Sequence, residues 1–375
     1  TSLSLDGIGD ASSVSSELAM LNMQKSSDAL GSDAISATIS DAGINSTLTA
    51  TGTTAVSNAR ISVDSNAIAG TARANTATNT MSLDLGSMNS AEAVWDDTTV
   101  PLTPVAAAGG TNIASLGSSQ SNAIDVTTSL DSAGTGKTDL VAKIATSTGA
   151  VNGGTTLSVS SNALTTLAAG NSVTNTFSLI GNAVSTPETQ NNLPTLTLTA
   201  VGDTAGALLA KNTAFAVGND QFNSGVISSS IGTGTGVGET LLQASAAATT
   251  AISNSSMAVD ANRMIAQAIA ASDATTSATL DATSIATSFL TGSRQLNTVS
   301  VTATVGDTTS TVKIQAITGT AATVSNMAVS TSDNTIGASA TALADTSRVL
   351  IGGSSTTTVA GGGNVNANET AASSA

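Results

Sequence analysis

The segment Val63 to Leu83, VDSNAIAGTARANTATNTMSL, returns as VSSNALTTLAAGNSVTNTFSL at Val159 to Leu179, with eleven of twenty-one positions identical and no gap. The matches include Ser65/Ser161, Asn66/Asn162, Ala72/Ala168, Asn75/Asn171, Asn79/Asn175 and Leu83/Leu179. Apolar residues and asparagines held at fixed offsets mark a repeat architecture, in which each unit buries its apolar face only by stacking on the next. This constraint overrides the two or three domains that 375 residues would otherwise suggest. One elongated body is expected.

Further copies extend the pattern. Val259-Asp260-Ala261-Asn262 lies 196 residues (259 − 63) after Val63-Asp64-Ser65-Asn66. The run Asn262 to Ala271, NRMIAQAIAA, would pass for a helix on propensity, yet this alignment makes it a third strand-turn copy. A second marker, Val94-Trp95-Asp96-Asp97, Val201-Gly202-Asp203 and Val305-Gly306-Asp307, recurs and supports a long unit. Arg348-Val349-Leu350-Ile351, aligned with Arg60-Ile61-Ser62-Val63, suggests a truncated fourth copy, in which Asn364 and Asn368 repeat the spacing of Asn75 and Asn79.

Shorter returns of a Ser-[Asn/Asp]-Ala-[Ile/Leu] group at Ser32, Ser65, Ser121 and Ser161 point to a coil of roughly 17 to 20 residues, the length of one turn in many β-helices. The fold class expected is therefore all-β, an elongated β-solenoid (β-helix) of about 18 coils and, at about 4.8 Å per coil, a rod on the order of 90 Å long. Residues 1–30 read as an atypical N-terminal cap, with Ser16 to Lys25 as a short helix. Residues 31–350 read as solenoid repeats, with long units near 57–150, 151–250 and 251–345, and 346–375 as a truncated repeat and tail.

Short runs such as Ala34 to Ile39, Asn45 to Thr51 and Arg60 to Val63 alternate with period two between Gly, Asn, Asp and Ser, the pattern of half-buried strands. Proline occurs only at Pro101, Pro104, Pro187 and Pro194, at comparable points of the first two units, where excursions from the stack are expected. Asn66, Asn75, Asn79, Asn162, Asn171 and Asn175 are expected at the corners. After glycine, asparagine best tolerates left-handed backbone angles, and stacked in register its amide bonds the amides above and below.

Composition excludes several chemistries. With no His and no Cys, neither a Ser-His-Asp set nor a Cys/His zinc site can be built. The net charge of −15 and ten scattered basic residues lack the footprint of a nucleic-acid binder. Gly134-Thr135-Gly136-Lys137-Thr138 resembles a phosphate loop but has Asp131 where the first Gly is required, and reads as a turn. Asp96, Asp97, Asp203 and Asp307 offer too few carboxylates per loop for a dense calcium site. Alternating threonines at Thr47, Thr49, Thr51 and Thr53, and at Thr195, Thr197 and Thr199, suggest an ice-binding array only if the same face recurs in every coil; otherwise they line a solvated strand. Catalytic, cofactor and metal residues are accordingly not assigned, and no apolar run approaches the ~20 residues of a membrane helix.

The Asn-Ala-[Ile/Leu] corners and the spacing Gly170-Asn171-x-x-x-Asn175 resemble the repeats of exported bacterial β-solenoids, including curli-like fibre subunits and the proteins that anchor a holdfast to its cell pole. The resemblance covers about 31 to 370. It implies residence outside the cell and a non-enzymatic role as adhesin, cell-surface anchor, or filament and matrix subunit, with self-association, other surface or matrix proteins and polysaccharide as partners. The start at Thr1 is expected to follow removal of an export signal. A calcium-dependent surface-layer lattice subunit is the first alternative, and a carbohydrate-active β-helix enzyme the second.

Overall fold

An apolar side chain facing inward, then a Thr or Ser facing outward, is the pattern of strands such as Val126–Leu130, Thr156–Ser160 and Ile227–Ile231. The computed structural model describes residues 2–8, 18–26, 34–40, 42–51, 55–89, 100–101, 114–130, 138–147, 149–185, 195–198, 208–211, 215–233, 240–286, 288–306, 312–319, 321, 323–355, 358–361, 365–367 and 371–374. No helix occurs among them. The strands build five parallel sheets, which the chain visits in the same order on each pass.

Sheet 1 stacks Leu18–Ser26, Ala114–Asn122, Phe215–Asn223 and Ser288–Asn297, followed by Thr358–Gly361 and Val365–Ala367. Sheet 2 stacks the five-residue strands Ile35–Ile39, Val126–Leu130, Ile227–Ile231 and Val301–Val305, then Ala371–Ser374. Sheet 3 takes Gly43–Ala50, Asp139–Thr146, Thr240–Ala247 and Val312–Thr318. Sheet 4 takes Arg60–Asp64, Thr156–Ser160, Ala251–Asp260 and Thr323–Ser332, extended by Val56–Ser57 and Val151–Asn152. Sheet 5, the longest, takes Ala67–Asn89, Ala163–Ser185, Arg263–Ala286 and Thr335–Ser355, with Ser2–Ile8 beneath.

Sheet 5 packs face to face on sheets 1 and 2, and sheet 4 on sheet 3. The interior is a stack of columns in which like sits on like. Ile68, Leu164, Met264 and Ile336 form one column, Ala72, Ala168, Ala268 and Ala340 another, and Ile61, Leu157, Met257 and Val329 a third. Small aliphatic groups suit this space because each layer has only the strand separation, about 4.8 Å, in which to fit its side chains. Phe177 and Phe215, ring centroids 5.8 Å apart, fill the gap between sheets 5 and 1.

Register overturns the expected coil length. Ala67 pairs with Ala163, Ala163 with Arg263, and Arg263 with Thr335, offsets of 96, 100 and 72 residues where 17 to 20 were expected. What the sequence suggests as five short coils is a single layer of five strands. Among the described residues four such layers, at about 4.8 Å spacing, stand where about eighteen coils and a rod on the order of 90 Å were expected. The short Ser-Asn-Ala groups mislead because they mark different places in one layer: Ser65 and Ser161 stack at the bend into sheet 5, whereas Ser121 lies in sheet 1. Ser32 falls outside the described residues.

Three further expectations are corrected. The segment Leu18–Ser26 is a strand, in register with Ala114–Asn122, and not part of a helical cap; pairing to the next layer outweighs its helix propensity. The Val305-Gly306 marker has Ile231-Gly232 as its counterpart one layer below, while Val94 to Asp97 and Val201 to Asp203 lie outside the described residues. Arg348 pairs with Ser277 in sheet 5, so it is no counterpart of Arg60; the fourth layer enters sheet 5 at Asn334. Asn364 and Asn368 lie outside the described residues.

The Asn262 to Ala271 copy, in contrast, is a strand at the aligned position, with Val63, Val159 and Val259 in one column. The expected excursion also occurs: Val100–Pro101, Thr195–Leu198 and Leu208–Lys211 form a separate antiparallel sheet outside the five.

Candidate functional site

The bend from sheet 4 into sheet 5 needs one residue in the left-handed region, and that residue is Ser65 (φ 60°), Ser161 (55°), Ala261 (56°) or Asp333 (55°) in successive layers. The asparagine that follows braces the bend instead of supplying the angle expected of it. Asn66 donates from its backbone N–H (3.0 Å) and Nδ2 (2.9 Å) to Oδ1 of Asn162. Asn162 does the same to Asn262 (3.1 and 2.9 Å), and Asn262 to Asn334 (2.9 and 3.0 Å). The second Nδ2 proton of Asn162, Asn262 and Asn334 goes back one layer to the carbonyl of Val63, Val159 or Val259. Left-handed asparagines do occur, but at a bend within sheet 4: Asn58, Asn254 and Asn326, with Gly153 and Gly154 in the layer between.

Asn75, Asn79, Asn171 and Asn175 are not at corners. They sit inside the strands of sheet 5, buried and facing sheet 1. Ser26 Oγ donates to Asn75 Oδ1 (2.9 Å) and Asn75 Nδ2 to Asn171 Oδ1 (2.8 Å), while the same amides reach across to Ser121 O and Phe222 O. Asn22 Nδ2 donates to Asn79 Oδ1 (2.8 Å) and Asn79 Nδ2 to Asn175 Oδ1 (2.9 Å). Two ladders thus knit opposing sheets as well as successive layers. A buried amide left unpaired would cost about 1–3 kcal/mol, so each rung must find its neighbour or the wall opposite.

Sheet 1 carries two ladders that the sequence reading missed. Gln24, Gln120, Gln221 and Gln295 stack with Nε2 to Oε1 distances of 2.7, 2.8 and 2.9 Å, each of the last three donating to the glutamine of the layer before it. Asn122, Asn223 and Asn297 stack at 2.7 Å per step and donate to the layer after. The same three amides also hold the carbonyl two residues on, at Ile124, Gly225 and Val299, and so turn the chain from sheet 1 into sheet 2. The signal was present as [Asn/Ser]-x-Gln-x-[Asn/Ser] at Asn22, Ser118, Asn219 and Ser293. Offsets of 96, 101 and 74 hid it.

At the end of sheet 4, Asp and Ser alternate through the layers as Asp64, Ser160, Asp260 and Ser332. Asp64 Oδ1 accepts from Ser158 Oγ (2.8 Å), Ser160 N–H (3.0 Å) and Ser160 Oγ (2.7 Å); Asp260 Oδ1 accepts from Ser332 N–H (2.9 Å) and Ser332 Oγ (3.1 Å). Partial burial pushes the Asp64 carboxyl up. Hydrogen bonds from Ser160, Ser158 and Ser62 and the Ser160 N–H outweigh it and hold the group below its ordinary value.

A hollow of about 650 Å³ between the last strands of sheets 3 and 5 is lined by Val312, Ile314, Gln315, Asn334 and Ile336 among others. It is the uncovered top of the interior, and does not have the enclosed form of a substrate cleft. Asp96, Asp97, Asp203 and Asp307 lie outside the described residues, as do Gly134 to Lys137. Among the described residues no three metal-ligating side chains gather, and no helix is long and apolar enough to cross a membrane. No family model, curated protein or solved structure matches the chain.

Proposed function

We propose that the chain is a wide β-solenoid, each circuit laying one strand on each of five sheets, and that it works outside the bacterial cell as a non-enzymatic structural protein: an adhesin, a cell-surface anchor, or a filament and matrix subunit. One observation carries this reading. The polar side chains that recur layer after layer are bonded to their own counterparts in the next layer, as in Gln24, Gln120, Gln221 and Gln295. A site that turns over substrate keeps convergent polar groups facing a cleft. Here they serve cohesion.

The partners proposed are further copies of the chain, other surface or matrix proteins and polysaccharide. Val324, Val329 and Ile336, on the last complete layer, are 51%, 51% and 42% exposed, whereas Ile252, Met257 and Met264, their neighbours one layer below, are almost wholly buried. Strand edges bearing core-type residues are templates for another chain. Electron micrographs and fibre diffraction of the purified 375-residue chain test the reading. Ordered rods or fibres with a reflection near 4.8 Å along their axis, dispersed by Val324→Lys with Val329→Lys, are expected. A monodisperse monomer that binds no surface at any concentration would sink it.

A further inference from the structure

We propose that the outer face of sheet 5 is an ice-binding face. In the strand Ala67–Asn89 the residues Asn75, Ala77, Asn79, Met81 and Leu83 are buried, so Thr76, Thr78, Thr80 and Ser82 point out. One layer on, Ser172, Thr174, Thr176 and Ser178 point out between buried Asn171, Val173, Asn175, Phe177 and Leu179. Ser277 and Thr279 follow in the third layer, flanking buried Ala278 and Leu280. Below, exposed Ser2 and Ser4 pair with Thr80 and Ser82.

Register turns these into columns: Ser2, Thr80, Thr176, Ser277; Ser4, Ser82, Ser178, Thr279; Thr78 with Thr174; Thr76 with Ser172. The result is a two-dimensional grid of hydroxyl groups, repeating at about 4.8 Å across the layers and about 6.6 Å along the strands. Thr47 and Thr49, alternating in sequence, make no such grid, because Lys143 and Ala145 occupy their places in the next layer.

Three features point to ice as the occupant. None of the twelve side chains ionises, in a chain of net charge −15; exposed Arg73, Asp84 and Asp281 stand at the borders, and the grid ends at the third layer, where Arg348 and Leu350 pair with Ser277 and Thr279. The ligand that matches an uncharged lattice is itself uncharged, extended and periodic. Next, the grid is held rigid: threonine is stiff at χ1, and the Asn75–Asn171 and Asn79–Asn175 rungs lie directly beneath. Waters in the troughs between columns are therefore positioned before ice arrives, which removes most of the ordering cost of the contact. Finally, the face has none of the aromatic rings on which sugars stack.

The experiment uses the 375-residue chain and measures thermal hysteresis, together with incorporation of fluorescently labelled protein into a growing ice hemisphere. Wild type is expected to show both, Thr174→Lys or Thr76→Lys to lose both while melting at the wild-type temperature, and Thr49→Lys, on sheet 3, to keep both. Absence of hysteresis and incorporation in the wild type, or their survival in both sheet 5 lysine variants, overturns the proposal. So does binding to crystalline cellulose or chitin that Thr174→Lys abolishes while ice remains untouched, since that assigns the grid to a polysaccharide.

Discussion

Asn162 donates twice to Oδ1 of Asn262, through its backbone N–H at 3.1 Å and Nδ2 at 2.9 Å, although a hundred positions separate the two. Its remaining Nδ2 proton reaches Val63 O at 2.8 Å, so one side chain ties three layers together. Asn162→Ala leaves buried groups on both sides without partners and is expected to lower the unfolding free energy by about 2–4 kcal/mol in a denaturant titration. Asn334→Ala, on the last complete layer, is expected to cost less. Equal losses would show that the ladder does not matter beyond each bend.

The glutamine ladder is expected to behave as a unit. Gln221→Leu strands Gln120 Oε1 and the Gln295 amide, and its cost is expected to exceed that of adding Gln120→Leu on the same background, with a coupling of about 0.5–3 kcal/mol in a double-mutant cycle. Strict additivity would mean that the rungs act alone.

Ala261 holds φ 56° at a bend where the other layers place Ser or Asp. An alanine there bears a steric cost that glycine escapes, so Ala261→Gly is expected to raise stability by up to about 1 kcal/mol, read from the melting temperature. The sign would reverse if loss of the methyl outweighs relief of the angle.

Gly225 sits where the turn between sheets 1 and 2 crosses the layer below; a Cβ there would stand 1.9 Å from Ile124 O. The clash is with backbone, so it cannot be relieved by a side-chain rotation. Gly225→Ala is expected to lower the melting temperature more than Gly337→Ala, whose added methyl would meet nothing within 4 Å.

Asp64 has its carboxyl held below 3.8 by serine donors, so it contributes stability that is present above that value and lost as pH falls through the folded value. Asp64→Asn is expected to melt earlier than wild type near neutral pH and to converge with it as the pH falls through the lowered folded value. A gap that stays constant across the titration would exclude the carboxylate as its source.

The all-β class and the parallel stacking of like on like were legible from the Val63 and Val159 segments, because identical columns leave identical residues. The third copy at Val259 was legible for the same reason. Coil length was not, since a layer bends several times and each bend uses the same few residue types: Ser65 and Ser161 belong to one bend, Asn122 and Asn223 to another. The buried asparagines were visible as repeats but not as interior residues. Amide side chains inside a thin core look like loop residues until the wall opposite, here Ser121 O and Phe222 O, is in place. The fourth copy was placed at Arg348 and not at the Ser332-Asp333-Asn334 bend because that bend lies 72 residues after the third and not about a hundred.

Nearly all of that shortening arises at one junction. Between the end of sheet 5 and the next strand of sheet 1 the chain has 24 residues (90–113) after the first layer and 29 (186–214) after the second, but only residue 287 after the third and residues 356 and 357 after the fourth. The strands stack in register regardless, so this junction sets the length of a circuit without altering the circuit itself, and lengthening a loop costs little free energy. The gap between Ala286 and Ser288 is accordingly the natural insertion point for a passenger peptide or a whole folded cargo, which a engineered version of the chain would carry at the rim of the third layer without disturbing a single rung.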